Sequence, residues 1–144
     1  MKRKAKAVTI HKDWSHKMIK STINYEYFCD EVLAIDNMIR FVGVFADDEF
    51  HSKMQEGKKS RLTEKEVQKS LRHGILRWKS SELFSTKTGK LVCQVAKYDH
   101  LFQITLPLSD TVMCLMSTEL NVEPFKIAER VTEIKNKYFE QFLL

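Results

Sequence analysis

The chain is poor in residues that break regular structure, with four glycines and two prolines among 144 residues. That scarcity excludes collagen-like, linker-rich and glycine-punctuated repeat architectures and favours long regular elements. Gly43, Gly57, Gly74 and Gly89 lie too far apart to build a phosphate-cradling loop. Neither a Gly-x-Ser-x-Gly elbow nor a His-Glu-x-x-His helix is present. No apolar run approaches the roughly 18 residues that a membrane-spanning helix needs. The first residues are basic but lack an apolar stretch of roughly 7–15 residues, so they do not read as a secretory signal. Cysteine is scarce and odd in number: Cys29, Cys93 and Cys114 form no disulfide framework. Each sits in an apolar run, as a small buried hydrophobe of a reducing cytosol would. No metal or cofactor is expected.

Apolar residues make up 43% of the chain and charged residues 30%, enough for one packed domain and unlike a disordered or membrane protein. The formal charge of +5 is unevenly spread. Residues 1–20 carry seven basic residues (Lys2, Arg3, Lys4, Lys6, Lys12, Lys17, Lys20) and one acid, Asp13, a net of +6. The remaining 17 basic and 18 acidic residues leave the rest at −1. We read residues 1–21 as a basic tail and residues 22–144 as a single domain. Lys2, Arg3, Lys4 and Lys6 are the candidate contacts to an anionic surface, either nucleic acid or membrane lipid, and Trp14 and Met18 give that segment an amphipathic hint.

Hydrophobic periodicity predicts a helix over 14–37, with Tyr25, Phe28, Val32 and Ile35 on one face and Trp14 and Met18 either extending that face or belonging to a separate short turn. Met38–Ala46 is short, apolar at nearly every position and rich in β-branched and aromatic residues, as a strand covered on both faces would be. Asp47-Asp48-Glu49 reads as a solvated turn, without the acid spacing of a calcium loop. Phe50, Ser52 and Met54 alternate with His51, Lys53 and Gln55, as in a half-exposed hairpin partner. Thr63-Glu64-Lys65-Glu66 is a capping box opening a second helix to about Phe84, with Val67, Leu71, Ile75 and Trp78 as its buried stripe. Three strands follow. Leu91, Cys93 and Val95 alternate along the third. On the fourth, Gln103, Thr105 and Pro107 mark a wet face. Val112–Met116, apolar on both sides, reads as the central fifth strand. Glu123-Pro124 opens a last helix with a stripe of Ile127, Val131, Ile134 and Tyr138. Placing the two doubly apolar strands side by side gives an antiparallel sheet of order 2-1-5-4-3 with helices on both faces, an α+β sandwich in the order α-ββ-α-βββ-α.

That string of elements over residues 22–142, with Ile39–Ala46 as first strand, the long capped second helix and three consecutive strands in 90–117, resembles the roadblock/dynein light chain family of the wider profilin-like group. The runs Lys97-Tyr98-Asp99-His100 and Thr105-Leu106-Pro107-Leu108 also resemble a group of archaeal proteins of this size that have no assigned activity. The chain departs from typical roadblock domains in lacking a glycine in its first hairpin. The resemblance implies a non-catalytic, cytoplasmic module that dimerises through its second helix and third strand and binds small GTPases or larger scaffolds; fold alone does not fix this. Ser70, Gly74, Arg77 and Ser81 on the second helix, with Leu91, Cys93 and Val95 on the third strand, are the candidate homodimer contacts. Two other readings stand beside it: a profilin- or PAS-like sensory domain with a ligand pocket between sheet and helix, and a nucleic-acid-associated protein using its basic tail. Cys93, His100 and Cys114 match no zinc spacing and read as core and surface residues. His51 and His73 fall on polar faces. No residue is assigned a catalytic role.

Overall fold

The computed structural model describes residues 23–46 and 48–139. The candidate tail contacts Lys2, Arg3, Lys4 and Lys6, with Trp14, Met18 and Asp47, lie outside the described residues. Helix α1 spans Tyr25–Leu33, followed by strands β1 (Ile39–Ala46) and β2 (Glu49–Met54). Helix α2 spans Glu64–Ser81 and runs through a 3-10 turn, Glu82–Phe84, into the single-turn α3 (Ser85–Thr88). Strands β3 (Gln94–Lys97), β4 (Phe102–Pro107) and β5 (Val112–Thr118) precede helix α4 (Pro124–Phe139).

The strands form one sheet of order β2-β1-β5-β4-β3, antiparallel at every pairing. This is the order expected from the two doubly apolar strands: β1 and β5 are neighbours at its centre. Alternation of side chains across β1, β4 and β5 divides the core in two. Val42, Val44, Ile104, Leu106, Cys114 and Met116 face α1 and α4 and pack with Phe28, Val32, Ile127 and Val131. Met113 and Leu115 face α2 and pack with Leu71 and Trp78, with Phe41, Phe45, Phe50 and Ile75 partly buried around them.

Three local readings change. Residues 14–22 of the helix predicted over 14–37 lie outside the described residues. Asn24 is extended and its side chain accepts hydrogen bonds from the amides of Glu26 and Tyr27, so it caps a helix that starts at Tyr25. The same helix stops at Leu33, and Ile35 packs from the turn that follows, where the Asp36 carboxylate accepts from the Met38 amide. The wet face predicted for β4 is covered, since Thr105 is buried beneath α2. The missing hairpin glycine has a substitute: Asp48 takes the left-handed conformation, with φ of 65°. Asp tolerates that conformation better than most residues because its short polar side chain bonds locally.

Candidate functional site

Helix α2 is set by its ends and its stripe. The Thr63 hydroxyl accepts from the Glu66 amide (3.2 Å) and the Glu66 carboxylate accepts from the Thr63 amide (2.9 Å), the reciprocal box expected from sequence. Val67, Leu71, Gly74 and Trp78 are its buried residues. Gly74 therefore does not stand on a bare flank awaiting a second helix. A Cβ there would lie 3.4 Å from the Thr105 methyl and 4.0 Å from Leu115 Cδ1, against the protein's own sheet. The reason is periodic: positions 71, 74 and 78 are spaced by three and four, so Gly74 shares the core stripe.

The other candidate interface residues separate in the same way. Ser70 Oγ accepts from Gln103 Nε2 on β4 at 2.9 Å, so it bridges to the sheet. Ser81 Oγ donates to the Trp78 carbonyl. Leu91 and Cys93 precede β3 rather than lying on it, because pairing with β4 begins at Gln94. Leu91 packs beneath α2, whereas Cys93 and Val95 pack with the α1–α4 core.

Arg77 and Ser81 stay at the surface, in a shallow groove completed by Leu76, Ser80, Phe84 and Gln94. The groove runs between α2 and β3, the edge strand of the sheet. Two of its lining residues are exposed apolar side chains, Leu76 and Phe84 at 63% and 61%, and the same stretch of chain exposes Leu83 and Val92 at 78% and 67%. The Gln94 side-chain carbonyl is buried with no hydrogen-bond partner among the described residues. Sequence reasoning missed Leu76, Leu83, Phe84 and Val92. Their signal was present, because Leu76 breaks the polar side of α2 and Leu83-Phe84 follows the last turn of the stripe.

A second feature lies at the other end of α2. A cleft of about 350 Å³ opens between its first half and the sheet, lined by Phe41, Met54, Leu62, Val67, Leu101 and Leu115. Its rim carries Arg61, Tyr98, Asp99 and His100. The loop at its mouth is tied down. Ladder register between β1 and β5 slips between Ile39 and Phe41, leaving Arg40 at the irregularity. Its guanidinium donates to Glu119 (2.7 Å) and to the Lys59 carbonyl (2.9 Å), and Lys58 also reaches Glu119 (3.2 Å). Hydrogen bonds from Arg40 and then Lys58 hold the Glu119 carboxyl below its ordinary range.

The cysteines and histidines are not brought together as a metal centre. Cys29 and Cys114 are buried on the α1–α4 side, and burial pushes the Cys29 thiol up to about 12 and the Cys114 thiol well up. Burial also raises Cys93, which packs on the same side, whereas His100 lines the cleft on the opposite side of the sheet. His51 is half-buried, stacked on Tyr25 at 5.2 Å and 3.4 Å from Glu49. Among the described residues no group of three or more His, Cys, Asp or Glu could hold a metal ion, and no helix is long and apolar enough to cross a membrane.

No protein-family model matches the chain, and no curated protein matches its sequence. Solved structures do match in fold. A roadblock/LC7 domain from Streptomyces avermitilis aligns with a TM-score of 0.60 at 5% identity, covering 82% of this chain and 97% of that one. MglB of Myxococcus xanthus aligns at 0.60 and 9% identity, over 94% and 96%. The gliding protein MglB of Thermus thermophilus aligns at 0.59 and 9% identity, over 81% and 88%. Identities this low speak to architecture alone, and the architecture of this chain is the roadblock/LC7 fold.

Proposed function

We propose that the chain is a non-enzymatic roadblock-type interaction module that forms a homodimer and binds a protein partner, with a small GTPase as the partner class that the roadblock resemblance implies. The observation that carries this reading is the exposed apolar pair Leu76 and Phe84 in the groove beside the outer edge of β3, which has no strand partner among the described residues. An open edge strand flanked by exposed apolar side chains is a liability unless another chain covers it. A two-fold axis at this edge would pair β3 with its copy and set the two α2 helices side by side, so every contact would count twice. The flank of α2 nearest β3 suits this. It holds Ser70, Arg77 and Ser81, whereas Lys65, Arg72 and Lys79 recur every seven residues on the other flank.

Light scattering at micromolar concentration tests the dimer: two copies for the unmodified chain, and one for Leu76→Glu with unchanged far-ultraviolet dichroism. A monomeric unmodified chain would refute the assembly. Titration with small GTPases of the same genome, loaded with GDP or a GTP analogue, tests the partner class, and binding to neither removes it. Nucleotide hydrolysis by the pure chain, abolished by a point change, would overturn the non-enzymatic reading.

A further inference from the structure

The cleft at the first half of α2 has a lining separate from that of the groove beside β3, although Ser70, on the flank assigned to the proposed dimer, forms part of its wall. Its volume, about 350 Å³, lies within the range of roughly 300–1,000 Å³ typical of small-molecule sites. Its body is apolar, formed by Phe41 and Leu115 from the central strands, Met54 from β2, Val67 from α2 and Leu101 from the β3–β4 hairpin. Leaving such a surface open to water has a cost that an apolar ligand would remove. The walls are held in place without a ligand. Ser70 and Gln103 are joined at 2.9 Å across helix and sheet, and the loop carrying Ser60, Arg61 and Leu62 is pinned through Arg40, Lys58 and Glu119. A cavity with fixed walls loses little conformational freedom on filling.

The rim gives the ligand a sign. Glu119 is answered by two cations, Arg40 and Lys58. Glu119 and Lys58 stand behind the lining, Arg61 has no ion pair among the described residues, and Asp99 is the one carboxylate on the lining itself. The balance at the mouth is positive, with a free guanidinium whose planar fork suits a carboxylate.

We propose that this cleft binds an amphipathic small molecule, with an aliphatic body against Phe41, Val67 and Leu115 and a carboxylate at Arg61. Dodecanoate is the probe, titrated into the full chain by calorimetry, with dodecyltrimethylammonium as the opposite-charge control. The expected result is saturable binding of one dodecanoate per chain, at least tenfold tighter than the cationic control. Arg61→Glu, on the exposed rim, should weaken dodecanoate tenfold or more, and Leu101→Trp, which fills the cleft, should abolish it. Folding of both variants is checked by dichroism and melting temperature, and the rim variant keeps the test valid if Leu101→Trp does not fold. No saturable binding, equal affinity for both probes, or binding indifferent to Arg61→Glu would overturn the proposal. So would a dimer that Leu101→Trp splits while dodecanoate does not bind, which would assign the cleft to a second copy of the chain. A monomeric unmodified chain that binds dodecanoate would refute the dimer and leave this site standing.

Discussion

The two faces of the sheet are built to different standards. On the α1–α4 face, buried side chains from two helices and three strands close around a single wholly buried hydroxyl, that of Thr118, and Phe28, Val32, Val42, Ile104, Cys114, Met116 and Val131 are wholly inaccessible. On the α2 face a single helix must cover the same sheet. Four buried residues form its core, Phe41, Phe45 and Phe50 remain partly open, and polar Thr105 and Gln103 lie beneath the helix. Two helices side by side can cover a five-stranded sheet, and one cannot. The first face carries the stability. The second carries the exposed groove at one end of α2 and the cleft at the other.

The largest expected effect follows from that inequality. Phe28→Ala removes a wholly buried ring and leaves a cavity that packed neighbours cannot fill, at a cost of about 3–5 kcal/mol. Ile75→Ala, from the partly buried rim of the α2 cluster, should cost roughly 1–2 kcal/mol, since less apolar surface is lost to begin with. Urea denaturation of both variants tests the comparison. Equal costs would mean that α2 is as firmly seated as α1 and α4.

Gly74 gives a smaller and more diagnostic effect. A Cβ at 3.4 Å from the Thr105 methyl is an ordinary contact, so alanine fits. Gly74→Ala should then stabilise the chain by about 0.5–1 kcal/mol through the intrinsic preference of a helix for alanine. Gly74→Leu cannot fit between α2 and β4 and should destabilise by roughly 1–3 kcal/mol through overpacking. Chemical denaturation reads both. A neutral Gly74→Leu would place the residue on a free surface after all.

These particulars also show what the amino-acid pattern encodes. Strand order was legible because Ile39–Ala46 and Val112–Met116 are apolar on both sides, and only central strands need to be. The start of α2 was legible because the Thr63–Glu66 box is a local chemical signal. The orientation of Gly74 was misread, although its spacing from Leu71 and Trp78 already put it on the core stripe. The covered state of β4 was not legible. Alternating Gln103 and Thr105 looks the same whether water or a glycine-bearing helix lies above it. A pocket between sheet and helix was offered only through the profilin- or PAS-like alternative, and its lining was hidden. Arg40, which lines the cleft, is held by Glu119 at a separation of 79 residues, and no periodicity reports that.

The smallest expected effect compares two carboxylates, one on each side of the sheet. Glu31 ties α1 to α4, accepting hydrogen bonds from the Tyr138 hydroxyl and the Lys137 ammonium. Glu119 ties the loop at the cleft to the β1–β5 centre through Arg40 and Lys58. Both carboxyls are held below the ordinary range, Glu31 by Tyr138 and then Lys137, Glu119 by Arg40 and then Lys58. A carboxyl that is more acidic folded than unfolded adds stability above its unfolded value, near 4.3 for glutamate, and loses it as pH falls through the folded value. The melting temperature should therefore fall on acidification below about pH 4.3, and Glu31→Gln and Glu119→Gln should each flatten that fall. The exposure of Glu31 keeps its share small, because solvent screens its bonds. The two variants should differ in where they loosen the chain. Glu119→Gln should speed amide exchange in residues 58–62 and leave α1 and α4 protected, because only the loop loses its anchor. Glu31→Gln should do the reverse at the facing ends of α1 and α4. Faster exchange throughout both regions in either variant would show that the two faces open as one unit and that their inequality is only one of packing.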